Sequence, residues 1–343
     1  MPGMGAWWRR RSRGTKRRLV FYPAILGIFA GFLAFTMVMP GKSHTGALPQ
    51  LRPEQEKLAG RLRADVTALV GGSAERSQRL AGTLERGAGM IEKAMQEDGY
   101  VVTRLPYESD GATIVNLEAV LAGATLAREV VVVGAHYDSA AGAPGADDNA
   151  SGVAAMLAIA RALAVGKYAP SRTIRFVAFV NEEPPFFWNE GMGSLVYAKA
   201  CKARGDAIVA MLSLETLGYY RDEPGSQKYP PIVSWFYPDR ADFVGFVGNL
   251  GSRGLVRKAT GTFRSAAAFP SEGAALPSFV TGVGWSDQWS FWQVGYPGVM
   301  VTDTAPFRNP NYHQPSDRPD TLDYARLARV TDGLVAVVKK LAD

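Results

Sequence analysis

Cysteine is nearly missing from this chain. Cys201 stands alone among 343 residues, so no internal disulfide can form and stability must come from the hydrophobic core. A lone cysteine in a helical stretch, with no base placed to ionise it, reads as a small buried residue and not as a nucleophile. Histidine is almost as scarce, with copies only at 44, 136 and 313. A basic surplus is missing too, once it is located. The formal charge is +6, yet Arg9, Arg10, Arg11, Arg13, Lys16, Arg17 and Arg18 supply seven of the 38 basic residues, and the 31 that remain face 32 acidic ones. The body is therefore close to neutral, and a cationic groove for nucleic acid has no support in it.

Charge of either sign is absent from residues 19–39, LVFYPAILGIFAGFLAFTMVM. This stretch matches the roughly 20 apolar residues that cross a ~30 Å hydrocarbon core. It exceeds the roughly 7 to 15 apolar residues of a cleaved signal peptide, and no A-x-A-like site follows Met39. The expectation is an uncleaved, single-pass anchor at 19–39 in a bacterial inner membrane. The positive-inside rule then puts the basic tail of residues 1–18 in the cytoplasm, with Trp7 and Trp8 near the headgroups, and the rest outside it, in the periplasm. Residues 40–52, PGKSHTGALPQLR, read as a linker in which His44 is solvated. Residues 53–343 are then one catalytic domain.

Within that domain, helical periodicity covers 53–70 and 75–97, and the strand candidates YVVTRLPY, TIVNLEAVLAG and EVVVVGAHY follow. EVVVV is continuously apolar, as expected of a strand buried on both faces. Next come a helix in GVAAMLAIARAL, a strand in RTIRFVAFV, a helix in GSLVYAKACKAR and a strand in AIVAMLSLE. Residues 219–285 show no clear period. YPGVMVTDT gives a last strand and LDYARLARVTDGLVAVVKKLA a closing amphipathic helix. The expected fold is α/β, with a mixed, mostly parallel central sheet between helices, in which ligands bind at the carboxyl ends of the strands.

Those ends carry an unusual set. His136 and Asp138 follow EVVVV, Glu182 and Glu183 follow RFVAFVN, Glu215 closes AIVAMLSLE, and His313 lies in NPNYHQPSD beyond the last strand. Asp147 and Asp148 open the helix after EVVVVGAHY, where a plain N-cap cluster would also suit. Two histidines and several carboxylates at one sheet edge form the N/O donor set of a pair of zinc-like ions. Such a pair needs one bridging carboxylate, and one acid is left over to act as general base on water.

The motifs HYDS, PGADDNASG, NEE followed by GMGS, SLETLGY, SDQWSFWQVGYPGVM and NPNYHQPSD occur in this order between residues 75 and 340. With them the chain resembles the co-catalytic zinc exopeptidases that include aminopeptidase Y and the bacterial leucyl aminopeptidases, in a superfamily shared with glutaminyl cyclases and transferrin-receptor-like proteins. The resemblance implies a phosphorylase/hydrolase-like fold and two Zn2+ ions. It implies that His136 and Glu215 hold one ion, that Glu183 and His313 hold the other, and that Asp148 bridges them. Glu182 corresponds to the general base, Asp138 to a residue that orients His136, and Tyr312 to one that steadies the tetrahedral intermediate. Three departures stand out. Glu215 replaces an Asp found in many relatives, Gln288 replaces a histidine, and the loop PPFFWNE is long. Phe186, Phe187 and Trp188 in that loop are candidates to wall an apolar side-chain pocket. The implied activity is removal of N-terminal residues from peptides. The alternatives on this fold are a glutaminyl-cyclase-like aminoacyltransferase, against which DDNASG counts, and a carboxypeptidase, for which Arg264 or Arg308 could hold the terminal carboxylate. A catalytically inactive membrane-anchored receptor or scaffold conflicts with the filled ligand positions.

Overall fold

The computed structural model describes residues 13–230 and 233–343. Residues 1–12 of the expected basic tail, with Trp7 and Trp8, lie outside it. A boundary after Val38 divides the chain into two units. The first is the helix α1, Arg13–Met37, with Pro23 inside it. Its apolar stretch is Phe21–Met37, and Phe21, Tyr22, Ile25, Leu26, Ile28, Phe29, Phe32 and Phe35 are all exposed. A helix apolar all round has no face for water.

The second unit is built on one eight-stranded sheet. Its strands are β1 (Val102–Ser109), β2 (Ala112–Leu121), β3 (Leu126–His136), β4 (Arg172–Phe179), β5 (Ala207–Glu215), β6 (Val244–Asn249), β7 (Ser271–Leu276) and β8 (Gly298–Thr302), in the order β1-β2-β4-β3-β5-β8-β6-β7. The central run from β4 through β3 and β5 to β8 is parallel, as is β6 with β7, and the remaining pairs are antiparallel. The apolar run of β3 explains its central place. Val131, Val133 and Ala135 enter one core, while Val130 and Val132 enter a second on the opposite face, beside Cys201. Both faces are thus buried, as that run required. The larger core packs under α2 (Pro53–Val70), α3 (Thr83–Glu97), α4 (Gly152–Val165), α6 (Arg253–Ala266) and α8 (Tyr324–Ala342); α5 (Gly193–Arg204) and α7 (Gln288–Gln293) cover the other face. The stretch Ala146–Val165 is apolar enough to span a membrane, but it is 78% buried inside this unit and belongs to its core.

Three segments differ from expectation. The helix expected from 75 starts at Thr83, because Arg76 trades backbone hydrogen bonds with Ser139, its N–H reaching Ser139 Oγ at 2.9 Å and its carbonyl accepting from the Ser139 N–H at 2.9 Å. The aperiodic stretch 219–285 contains β6, α6 and β7. Residues 40–52, read as a linker, lie along the body, and so does Met39, the last residue of the expected anchor. Met39 is buried, Arg264 Nη1 donates to the Pro40 and Gly41 carbonyls, the Ser271 N–H donates to Ser43 Oγ at 2.8 Å, Arg329 donates to the Pro49 carbonyl, and Arg52 pairs with Asp332.

Candidate metal centre

Five side chains meet where β3, β4 and β5 end. His136 is the last residue of β3, with Nε2 3.3 Å from Asp148 Oδ1 and 3.2 Å from Glu215 Oε2. His313 Nε2 lies 3.1 Å from Asp148 Oδ2 and 3.1 Å from Glu183 Oε2. Each histidine therefore faces two carboxylates, and Asp148 belongs to both groups through a different oxygen. The two sets, His136 with Asp148 and Glu215, and Asp148 with Glu183 and His313, each have donor atoms within 4.8 Å of one another. Glu182 stays outside both sets, with Oε2 3.8 Å from His136 Nε2.

The turns that deliver these groups are held from behind. Asp138 places its carboxylate under the turn after β4, where Oδ1 and Oδ2 accept from the N–H groups of Glu182 and Glu183 at 3.2 and 3.1 Å; its Oδ1 also lies 3.4 Å from His136 Nδ1. One short acid thus holds the turn that carries both glutamates. Asp317 does the same for the Asp147–Asp148 turn, accepting from their N–H groups at 2.9 and 3.1 Å. Asn149 Oδ1 accepts from Gly152 and Thr216, tying this turn to the end of β5. The fit is tight at Gly152, where a Cβ would fall 2.3 Å from the Leu214 carbonyl. DDNAS is therefore not a plain cap. Asp148 and Asn149 leave helical geometry, joined by a cis peptide, and Asp148 turns inward. Ser286 Oγ donates to Glu215 Oε2 at 2.6 Å. Asn181, Thr216 and His313 have φ of 60°, 44° and 57°, so left-handed backbone occurs at His313 itself and beside Glu182 and Glu215.

Negative charge is in excess here. Burial raises Glu182 well above the usual carboxylate range and Glu183 to about 7, and neighbouring acids add to both. Burial alone would lower His313, but Asp148 and Glu183 push it up to about 10. Burial opposes ionisation of Asp148 as well, yet the two histidines hold it below the normal range. His136 Nε2, His313 Nε2, Asp148 Oδ1 and Glu183 Oε1 are buried without a hydrogen-bond partner. Buried polar atoms are rarely left so, and histidine nitrogens with carboxylate oxygens are the donors that zinc takes. The residues present fit divalent cations.

Asp317, Asn149, Ser286 and Arg76 escaped the reading of the sequence. The first three stand inside the quoted motifs, which was the available signal; Arg76 had none. Arg76 is fully buried, with Nε 2.7 Å from the Tyr137 carbonyl, Nη2 2.9 Å from the Gly145 carbonyl and Nη1 on the Pro144 carbonyl. It clamps the HYDS turn to the loop before Asp147. Burial lowers its pKa to about 10, against the pull of Asp138 and Asp317. Arg76→Met leaves three buried carbonyls unpaired at about 1 kcal/mol or more each. Unfolding of the detergent-solubilised protein is expected to lose about 3 kcal/mol; an unchanged thermal midpoint would show that the clamp does not hold these loops.

An apolar cavity of about 110 Å³ opens beside the centre. Glu215 and Tyr312 line it on the metal side, and the remaining wall comes mostly from 227–247, 272–285 and 300–307. Phe186, Phe187 and Trp188 do not line it. Phe186 borders a separate depression with Asp138 and Glu183, while Phe187, Trp188 and Trp289 form a stack with centroid spacings of 4.9 and 5.7 Å. Trp188 Nε1 donates to the Gly284 carbonyl, between the lining residues Val283 and Trp285. Tyr312 stacks on the His313 ring at 3.9 Å. Arg264 holds residues 40–41 and lies 3.5 Å from Glu272, and Arg308 is buried on Gln227 and the Phe243 carbonyl. Neither arginine lines the cavity.

The chain has relatives among known proteins. The chain is 38% identical over 264 residues to the uncharacterized protein YfbL of Escherichia coli strain K12, covering 74% of this chain and 80% of that one. Among solved structures, LapB from Legionella pneumophila superposes with a TM-score of 0.66 at 18% identity, over 88% of this chain and 78% of its own. BSAP, a zinc aminopeptidase from Bacillus subtilis, gives 0.66 at 16%, over 83% and 95%. At such identities the likeness is one of fold. The profile of peptidase family M28 matches residues 116–338, a span that holds His136, Asp148, Glu182, Glu183, Glu215 and His313 together, and the chain belongs to that family.

Proposed function

We propose that the chain is a membrane-anchored zinc aminopeptidase with a two-ion site. The observation that carries this reading is Asp148, whose two oxygens face two different histidine–carboxylate sets. His136, Asp148 and Glu215 would hold one Zn2+, and Asp148, Glu183 and His313 the other. Bound zinc would polarise the scissile carbonyl and lower the pKa of water. The protein's own contribution falls to Glu182, which is buried at the centre yet outside both donor sets, where it can take a proton from water and pass it to the departing amine. Tyr312 lines the cavity and stacks on the His313 ring, and in this reading it would donate to the tetrahedral oxyanion.

The cavity favours an aminopeptidase over a carboxypeptidase. Among the described residues its lining includes no lysine, arginine or histidine, and its charged members are Glu215 and Glu272. Such a wall suits a cationic terminus and a large apolar side chain, and offers nothing to a terminal carboxylate. The p-nitroanilides of leucine, phenylalanine and methionine are therefore expected to be cleaved, and their N-acetyl forms to be inert. Equal cleavage of free and blocked forms, or release of residues from the C-terminus alone, would overturn the reading.

The membrane part of the proposal rests on the uncharged run at 19–39 and on the apolar side chains that α1 exposes all round. The basic tail would face the cytoplasm and the catalytic unit the periplasm.

A further inference from the structure

One carboxylate of the apolar cavity, that of Glu272, has no part in the metal centre. The register of the sheet fixes where it stands. Glu215 at the end of β5 pairs with Thr302 on β8, Thr302 with Gly245 on β6, and Gly245 with Glu272 on β7, so the four residues form one row across the sheet. All four line the cavity. Met300, Val247 and Ala274, two positions along the same three strands, pair in a second row and line it too. Gly273 marks the opposite face of β7, because a Cβ on it would fall 2.7 Å from Met39 Cγ and 2.8 Å from Thr260 Oγ1. Glu272 thus turns toward the cavity, three strands away from Glu215. At about 4.8 Å per strand, their Cα atoms stand about 14 Å apart.

The floor between the two acids is bare of charge. Gly245 has no side chain, and the Thr302 hydroxyl accepts from the Thr304 N–H at 2.7 Å and bonds the Thr216 hydroxyl at 3.1 Å. Aromatic rings line the cavity as well, with Tyr229 stacked on Tyr237 at 6.0 Å and Trp285 on Phe307 at 6.2 Å. Arg264 is the cation beside Glu272, but its Nη2 donates to the Ser271 carbonyl at 2.7 Å and its Nη1 reaches the Pro40 and Gly41 carbonyls. Its approach to Glu272 Oε2 is 3.5 Å. A charge-assisted hydrogen bond is shorter, at about 2.7 to 2.9 Å. Burial raises Glu272 above the ordinary carboxylate range, Arg264 offsets only part of this, and Asp242 adds to it. A further cation is favoured at such a carboxylate.

We propose that Glu272 selects peptides whose N-terminal residue is lysine or arginine, with the stem of that side chain along the floor of the cavity and its cationic tip at the Glu272 carboxylate. The inference rests on the aminopeptidase reading above. Lysine and arginine are the residues that lay a long apolar stem along a surface and carry charge only at the end. Aromatic faces add to the attraction for the cation. A short side chain anchored at the metal end leaves the three-strand gap to Glu272 uncrossed.

The test compares the p-nitroanilides of lysine and arginine with those of norleucine and citrulline, which keep the stems without the charge, on the full-length protein in detergent. The parent's kcat/KM is expected to favour each charged substrate over its neutral counterpart by about 10- to 100-fold, the worth of one hydrogen bond to a charged group. Glu272→Gln should bring both ratios close to one while metal content stays at the parental level. Glu272→Asp, which keeps the charge on a shorter arm, should retain part of the preference. If leucine and norleucine anilides are cleaved but the charged ones are no better, the aminopeptidase stands and the role of Glu272 is wrong. If Glu272→Gln lowers all four substrates by one factor and leaves the ratios intact, Glu272 serves only to hold Arg264 and the proposal is overturned. If no aminoacyl anilide is cleaved at all, the aminopeptidase reading and the selector fail together.

Discussion

Glu182→Gln is expected to lower hydrolysis by about 10² to 10⁴-fold, the usual contribution of a positioned general base, and to leave metal content unchanged. Its neighbour should behave differently although the chemistry of the substitution is the same. Glu183 Oε2 lies 3.1 Å from His313 Nε2 inside a donor set, whereas Glu182 Oε2 lies 3.8 Å from His136 Nε2 and belongs to neither set. Glu183→Gln offers a neutral amide where a carboxylate stood, so it should lower both metal content and rate. The backbone of this turn is held by Asp138 through the N–H groups of both glutamates, so neither substitution should move the other side chain. Metal content by elemental analysis separates the two roles. The assignment is reversed if the Glu182 variant loses metal while the Glu183 variant keeps it and loses only rate.

Asp148→Asn should be more damaging to the metals than any other single change of one atom. Asp148 uses Oδ1 toward His136 and Oδ2 toward His313. An amide keeps one of these oxygens and replaces the other with a donor, which no cation can use. It also removes the negative charge that both sets share. Both ions are expected to be lost or greatly weakened, with hydrolysis falling to the level of chelator-treated protein, whereas Glu215→Gln should empty one set alone. Equilibrium dialysis against zinc reads the difference. Retention of the parental metal content by D148N would show that Asp148 does not bridge.

Much of this centre can be read from the chain because open α/β sheets gather function at strand ends. β3, β4 and β5 each form where their apolar runs stand, and His136, Glu182, Glu183 and Glu215 follow from where those runs stop. The segment 219–285 resists such reading for a physical reason. β6 and β7 are six residues each, VGFVGN and SEGAAL, and glycines at 245, 248 and 273 remove the β-branched signal. At two of these a Cβ would meet a neighbour, Val256 Cγ2 at 2.6 Å from Gly248 and Met39 Cγ at 2.7 Å from Gly273, so close packing replaced propensity. The supporting residues are hidden for another reason. Arg76 bonds to carbonyls 61 to 69 positions away, and Asp317 to amides 169 and 170 positions away. Partners so remote leave no period in either segment. The aromatic loop is harder to read for a third reason, since its composition suits a pocket wall, yet Phe187 stacks on Trp188 and Trp188 on Trp289 while Phe186 borders a depression beside Glu183.

Asp138, Asp317 and Asn149 grip the ligand-bearing turns by their peptide N–H groups, so the shape of the socket is specified by the polypeptide and not by what fills it. A scaffold of this kind separates two supply lines that are joined in proteins folded around their metal. Chain synthesis sets how many sockets exist, and the ions of the surrounding compartment set how many of them work and with which element. In the proposed topology, with the unit outside the cytoplasm, that composition would belong to the environment. Activity would then track the trace-metal weather of the habitat while the amount of protein stays constant.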